Sequence, residues 1–384
     1  MCFEFATATR IIFGPGVLKD VAPAAKEFGQ RVLIVAGKST RQGATLNRLL
    51  SDHGLATWTL TSSGEPDIAS AESGARMARA ERIELVVSIG GGSVIDLGKA
   101  IAAITTNEGN ITDYLEVIGR GQPLVCAPLP FIAIPTTAGT GAEVTRNAVL
   151  ASREHRVKVS LRSPLMLPKL AVVDPELTLG LPAALTASTG MDALTQLIEP
   201  FLSCRANPLV DGLCREGFVR VARSLRRAFE HPADLGARED MALASLFSGL
   251  ALANSALGSV HGFAVPIGGM FAAQHGAVCA ALLPHAMEVN LRALRERQPM
   301  NPILDRFAEV ARLLTGRTDA TGDDAVSWVR ELCADLTIPL LRTYGITEAD
   351  VPVLCEKAAQ SSSMKGNSLP LTPAELREML EHAT

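Results

Sequence analysis

Over the first 180 residues, short β-type runs alternate with segments whose apolar residues recur at helical spacing. RVLIVAG (31–37), ATWTL (56–60), ELVVSIG (84–90), FIAIP (131–135) and LAVVDP (170–175) read as strands, and helices are expected near 42–53, near 68–81 and from about 93. Strands that are apolar on both faces and separated by helices indicate a parallel sheet covered on both sides. The expected architecture for residues 1–180 is therefore an α/β domain with a doubly wound, Rossmann-like sheet.

The pattern changes after Pro182. Asp211–Phe229, Ala237–Leu257, Pro302–Leu314 and Ala325–Leu336 carry apolar residues at helical spacing with no convincing strand, so residues 181–384 are expected to form an all-α domain. No repeat, low-complexity tract or long linker separates the halves, and the cleft at their join is the expected active site. From Met241 to Met287 there is no Asp, Glu, Lys or Arg. Asn254, His261, Pro266, Gly268, Gly269, Gln274 and His275 interrupt that stretch, which reads as the buried centre of a helical domain with a polar site inside and not as a membrane span.

Composition narrows the classes of function. The chain of 384 residues is 47% hydrophobic and 20% charged with a formal net charge of −4, which gives no basic excess for nucleic acid. The seven cysteines are scattered without a CxxC pair, and the N-terminal residues have no basic segment followed by an apolar run. A cytoplasmic enzyme with reduced thiols is expected.

The chemistry begins at Gly90-Gly91-Gly92-Ser93, between an apolar strand and the helix VIDLGKAIAA. Bare backbone N–H groups at a helix N-terminus make an anion site, and glycine is expected there for close approach of a pyrophosphate and for a turn with positive φ. Neither GxGxxG nor GxxxxGK[ST] is present. A second loop, Pro135-Thr136-Thr137-Ala138-Gly139-Thr140-Gly141-Ala142-Glu143-Val144-Thr145, follows another strand and offers several hydroxyls. Two such loops in one sheet suggest a long ligand. After the strand RVLIVA come Gly37, Lys38, Ser39 and Thr40, followed by Arg41. That turn offers positive charge and no carboxylate to repel a 2′-phosphate, which favours NADP(H) over NAD(H).

GGGSVIDLGK (90–99), PTTAGTGAEVT (135–145), AVVDP (171–175), GMDALT (190–195) and VHG (260–262) through QHG (274–276) occur in an order that resembles the iron-containing (group III) alcohol dehydrogenases over essentially the whole chain. The resemblance implies a dehydroquinate synthase-like fold. It implies a nicotinamide cofactor with its pyrophosphate on Gly90, Gly91, Gly92 and Ser93, and Asp96 nearby. Thr136, Thr137, Thr140 and Thr145 would line the adenosine and ribose side, and Lys158 would approach the nicotinamide ribose. A homodimer is what the resemblance suggests for assembly.

In the second half, Asp192 and Gln196 are four residues apart and share a helix face. His261 and His275 would stand about 21 Å apart on one straight helix. Pro266, Gly268 and Gly269 are expected to break that helix and let the two imidazoles converge with Asp192. The family pattern is Asp, His, His, His around Fe²⁺ or Zn²⁺, and this chain has Gln196 at the first histidine. It also has Val265 where the family carries a further histidine near the nicotinamide. His53, His155, His231, His285 and His382 fit no ligand spacing and read as surface or packing residues.

The leading expectation is reversible NAD(P)-dependent reduction of an aldehyde or ketone to an alcohol, with a divalent metal on Asp192, Gln196, His261 and His275 polarising the oxygen. One alternative is a metal-independent reductase resembling maleylacetate reductases, against which Asp96 and Asp192 argue. The other is a protein that holds a cofactor without turnover.

Overall fold

The computed structural model describes residues 2–38, 40–62, 64–152, 154, 155 and 157–384. Contacts divide the chain into two compact units. The first comprises Ala6–Thr137 and Gly141–Thr178; the second comprises Leu179–Thr384 together with the N-terminal segment through Phe5 and Ala138–Thr140. Those two short segments group with the helices because Phe5 packs on the helical core and Ser248 Oγ donates to the Gly139 carbonyl at 3.3 Å.

In the first unit the chain runs through β1 (Arg10–Phe13), α1 (Val21–Ala25), β2 (Arg31–Ala36), α2 (Thr40–Asp52), β3 (Ala56–Thr61), α3 (Ile68–Ala80), β4 (Leu85–Gly90), α4 (Gly92–Thr106), β5 (Phe131–Pro135), β6 (Asn147–Ser152), β7 (Val157–Arg162) and β8 (Leu170–Val173). Six strands pair in parallel in the order β1-β8-β5-β4-β2-β3. Side chains alternate across this sheet. Leu33, Val35, Val86, Phe131 and Ala133 pack with α3 and α4, whereas Val32, Ile34, Leu85, Val87, Ile89, Ile132 and Ile134 pack with α1 and α2. Both faces are thus buried, which is why these strands read as unbroken apolar runs.

The strand order places a switch point beside the glycine loop. The chain leaves β2 toward β3 on one side and leaves β4 toward β5 on the other, so the turns after β2 and β4 diverge and open a crevice at the carboxyl ends of the strands. The antiparallel hairpin of β6 and β7 was not expected from the sequence. Its residues alternate between buried and half-buried, so it lacks the continuous apolar signal of the main sheet.

The second unit contains α5 (Ala183–Phe201), α6 (Pro208–Glu230), α7 (Leu235–Asn254), α8 (Ser259–Met270), α9 (His275–Arg297), α10 (Ile303–Thr315), α11 (Gly322–Asp335), α12 (Val351–Gln360) and α13 (Pro373–Ala383). Helix α5 is its axis: it is buried from Gly190 through Phe201 and packs against α6, α7 and α9. The expected break at Pro266, Gly268 and Gly269 is corrected, because α8 continues through all three and ends at Met270. Pro266 removes one backbone donor, but its neighbours Phe263, Ala264 and Ile267 are buried in the core and hold the helix together. The chain breaks at Phe271–Gln274 instead, where Phe271 is extended at φ −125 and ψ 152. Among the described residues no single helix is long and apolar enough to cross a membrane, and the pair α7 and α8 that passes by length and composition is bent by 96°.

At the start of α9, Gly276 faces α5 so closely that a Cβ would stand 2.3 Å from the Ser188 carbonyl oxygen and 3.3 Å from Asp192 Cβ. A methyl group there has to separate the two helices. Gly276→Ala is expected to lower stability by about 1–3 kcal/mol, the range for overpacking a tight contact. Urea unfolding would show a lower midpoint at unchanged slope, and an unchanged midpoint would mean that the two helices have room to spare.

Candidate metal centre and nucleotide loops

Three helices of the second unit bring donor atoms together. Asp192 lies in the middle of α5, His261 in the first turn of α8, His275 at the first position of α9, and Cys279 one turn later on the same face. Asp192 Oδ1 is 3.6 Å from His261 Nε2 and 3.8 Å from His275 Nε2. Cys279 Sγ is 3.9 Å from His261 Nε2 and 3.8 Å from His275 Nε2. All four donor atoms lie within 4.8 Å of one another, and only His275 is partly exposed. The convergence of Asp192, His261 and His275 expected from the sequence is present. Cys279 was not anticipated.

Asp192 Oδ1 is buried and has no hydrogen-bond partner, and the same is true of Gln196 Oε1 one turn further along α5. An unpartnered buried acceptor costs about 1–3 kcal/mol, so a protein retains one where something else completes it. A carboxylate oxygen facing two imidazoles and a thiol suits a divalent cation.

Glu199, which the sequence reading missed, supports this group from behind. Its Oε2 lies 2.6 Å from His261 Nδ1, and its Oε1 accepts from the Val260 N–H at 2.7 Å. A carboxylate on Nδ1 directs the Nε2 lone pair of a neutral imidazole toward Asp192 and raises its basicity. The only sequence signal for Glu199 is an acidic residue in the otherwise apolar run LIEPF, seven residues after Asp192.

The electrostatics show an appetite for positive charge. Burial disfavours the Asp192 carboxylate, but His275, His261 and a hydrogen bond from the Gln196 amide outweigh it and hold its pKa below the usual carboxylate value. Burial likewise opposes charge on His261, yet Cys279, Glu199 and Asp192 hold its pKa well above that of a free imidazole, and His275 is raised by Cys279 and Asp192. The anionic groups thus draw in either protons or a cation. Val265 is exposed on α8. His285, Glu288 and His382 also bring donors within 4.8 Å of one another, although the sequence offered no such spacing, and burial with the His382 charge pushes His285 down to about 4.

In the first unit, three loops gather at the amino end of α4. Gly91 is its N-cap, at φ −73 and ψ −178, with no capping side chain and no acidic residue in the first turn. The expected positive φ is corrected: Gly90, Gly91 and Gly92 are absent from the left-handed region. Space is the requirement, since a Cβ on Gly90 would lie 2.6 Å from Val94 and one on Gly91 would lie 3.4 Å from Thr137 Oγ1. Gly37, after β2, would place a Cβ 3.6 Å from Val94 Cγ2. The turns carrying Gly37, Gly90–Gly92 and Thr136–Thr137 therefore adjoin, and Ser93 lies in the first turn of α4. Lys38 is exposed, and Ser39 lies outside the described residues.

Other expected cofactor residues are engaged internally. The Asp96 carboxylate accepts from the Val149 N–H at 3.1 Å and stands 3.8 Å from Lys99 Nζ. Lys99 donates to Thr145 Oγ1 at 2.8 Å and to the Asn147 carbonyl at 2.9 Å. Burial lowers the Lys99 pKa to about 8 and raises that of nearby Glu143 to about 7. Asp96 and Thr145 thereby tie α4 to the β6–β7 hairpin. Lys158 Nζ pairs with Glu65 at 2.5 Å, Thr136 is buried, and Thr140 is half-buried.

Comparison with known proteins agrees with this construction. Residues 8–175 match the iron-containing alcohol dehydrogenase family, and residues 186–384 match the C-terminal domain of the Fe-containing alcohol dehydrogenase family. A 1,3-propanediol dehydrogenase of Citrobacter freundii is 34% identical, covering 99% of this chain and 98% of its own. Alcohol dehydrogenase 4 of Saccharomyces cerevisiae strain YJM789 is 33% identical over 97% of this chain and 96% of its own. The crystal structure of a 1,3-propanediol oxidoreductase superposes with a TM-score of 0.93 at 32% identity, covering 100% of both chains. With both domains matched in order and a carboxylate and two imidazoles converging in the second, this chain belongs to the iron-containing alcohol dehydrogenase family.

Proposed function

We propose that this protein reversibly reduces an aldehyde or ketone to an alcohol with a nicotinamide cofactor and a divalent metal. The observation that carries this reading is the buried cluster of Asp192, His261 and His275, in which Asp192 Oδ1 lacks any hydrogen-bond partner. These residues would hold the metal. Bound there, it supplies Lewis acidity to the substrate oxygen, while the cofactor supplies the hydride.

The protein's own groups then have separable tasks. Glu199 fixes the tautomer and ring orientation of His261 through Nδ1. The Gln196 amide helps hold the Asp192 pKa below the usual carboxylate value. Gly91, Gly92 and Ser93 present bare N–H groups and the positive end of α4 to a pyrophosphate. Burial of Asp192 and His261 excludes water from all but the His275 side of the cluster. With Val265 in place of a titratable side chain, the alcohol proton is exchanged with solvent.

Metal dependence is the direct test. Chelator-stripped protein is expected to lose aldehyde-dependent NAD(P)H oxidation and to regain it on addition of Fe²⁺ or Zn²⁺. Asp192→Asn is expected to lower kcat/KM by about 10³-fold, the equivalent of several kcal/mol of charge stabilisation. Equal rates before and after stripping would sink the metal-dependent reading and leave a metal-independent reductase.

The cofactor preference rests on different residues. Lys38 and Arg41 are exposed beside the amino end of α2, whose first turn has no acidic residue, and this combination supports NADPH over NADH. The expected ratio of kcat/KM for NADPH over NADH is about 10, one unit of 1.4 kcal/mol, and Lys38→Glu should bring it to or below parity. A wild-type preference for NADH would refute this assignment without touching the chemistry above.

A further inference from the structure

Gln196 and Cys279 are two departures that bear on one site. Where the family resemblance calls for a third imidazole, α5 offers a neutral amide; on the facing helix α9, a thiol stands beside both remaining imidazoles. We propose that Cys279 Sγ, and not Gln196, is the fourth protein ligand, and that this makes the site selective for zinc over iron. The inference rests on the metal-dependent reading above and specifies its ligand set and metal.

Geometry is the first support. Bonds of about 2.1 Å to nitrogen or oxygen and about 2.3 Å to sulfur, at a tetrahedral angle, put N and S about 3.6 Å apart and O and N about 3.4 Å apart. The Cys279 Sγ distances to the two Nε2 atoms are 3.9 and 3.8 Å, and those from Asp192 Oδ1 are 3.6 and 3.8 Å. These four distances need a contraction of only a few tenths of an ångström, and all four donor atoms already lie within 4.8 Å of one another. His275 and Cys279 need no backbone movement for this, because they stand one turn apart on the same face of α9.

Charge is the second. Asp192 and a Cys279 thiolate together match a dication within the ligand set, at a place where Asp192, His261 and Cys279 are all buried. With an amide oxygen from Gln196 instead, the ligands would carry one negative charge against two positive, and the balance would fall to Glu199 behind His261. The unpartnered Asp192 Oδ1 is an independent sign that a cation completes the group. Binding releases the thiol proton, and any proton the two imidazoles hold, to solvent, one for each ligand deprotonated.

Softness is the third. Thiolate favours zinc, whereas carboxylate and imidazole alone do not distinguish it from Fe²⁺. One carboxylate, two imidazoles and one thiolate form an N, O, S donor set that zinc accepts, and expansion to five-coordinate admits the substrate oxygen. Gln196 then stands beside Asp192 as a neutral neighbour, its buried Oε1 unpartnered.

The test uses the full-length protein, stripped by chelator and reloaded with Co²⁺ or Zn²⁺. The cobalt form is expected to show a near-ultraviolet thiolate-to-cobalt charge-transfer band. Gln196→Ala should keep the band. Cys279→Ser should lose it and bind zinc at least about 100-fold more weakly, beyond the range for loss of an outer partner of a ligand. Its circular dichroism and unfolding midpoint, compared with wild type, separate ligand loss from misfolding. Zinc should also outcompete Fe²⁺ in the wild type, and this margin should shrink in Cys279→Ser. Stoichiometric cobalt without the band, or a band that survives Cys279→Ser, overturns the assignment; so does zinc affinity that falls in Gln196→Ala but not in Cys279→Ser. If those results accompany metal-dependent aldehyde reduction, only the ligand assignment fails. If the wild type binds neither metal, the metal-dependent reading falls with it.

Discussion

The close backbone approach of α9 to α5 at Gly276 is the constraint on which the candidate metal centre depends. Asp192 projects from α5 one turn beyond Ser188, whose carbonyl would lie 2.3 Å from a Cβ at Gly276. That contact sets the distance between the helix carrying the carboxylate and the helix carrying His275 and Cys279. The third contributor, α8, reaches the same point because the chain reverses through Phe271–Gln274 before α9 begins. Donor atoms from three helices can converge to within 4.8 Å only if the backbones that carry them are closely packed.

Two buried charge clusters follow opposite logics. Around Asp192 the negative groups outnumber their protein partners, and the surplus expresses itself as raised imidazole pKa values and an unpartnered oxygen. Around Lys99 every group finds a protein partner: Thr145, the Asn147 carbonyl and Asp96 surround the ammonium. The first arrangement is open to a ligand and the second is closed, although both are buried. Burial alone therefore does not identify a site; incomplete satisfaction does.

Much of this was legible in the sequence. The strands of the main sheet announce themselves because both faces are covered, and Gly90–Ser93 marks the helix that follows β4. Asp192, His261 and His275 could be named because the residues around them resemble a family. The β6–β7 hairpin was hidden by a half-buried, alternating pattern broken by polar residues. The site of the α8–α9 break was misplaced because Pro266 and the following glycines look decisive locally, whereas the buried faces of Phe263 and Ile267 decide the matter globally. Cys279 was overlooked because a cysteine in an apolar helix reads as a small hydrophobe. Its spacing of four from His275 was the available signal, and Gln196 was the reason to look for one.

The Lys99 cluster also bears on how the nucleotide loops behave over time. The loop that begins at Thr136 is fastened at its far end, where Thr145 and Asn147 hold the Lys99 ammonium and the Val149 N–H is held by Asp96. Freeing that end would strip partners from a buried charge, so its excursions belong with the opening of the sheet unit rather than with the rapid motion of a surface turn. On the proposed reading, a cofactor binding there would meet a wall already in place at that end, and little of its binding energy would go into ordering the protein.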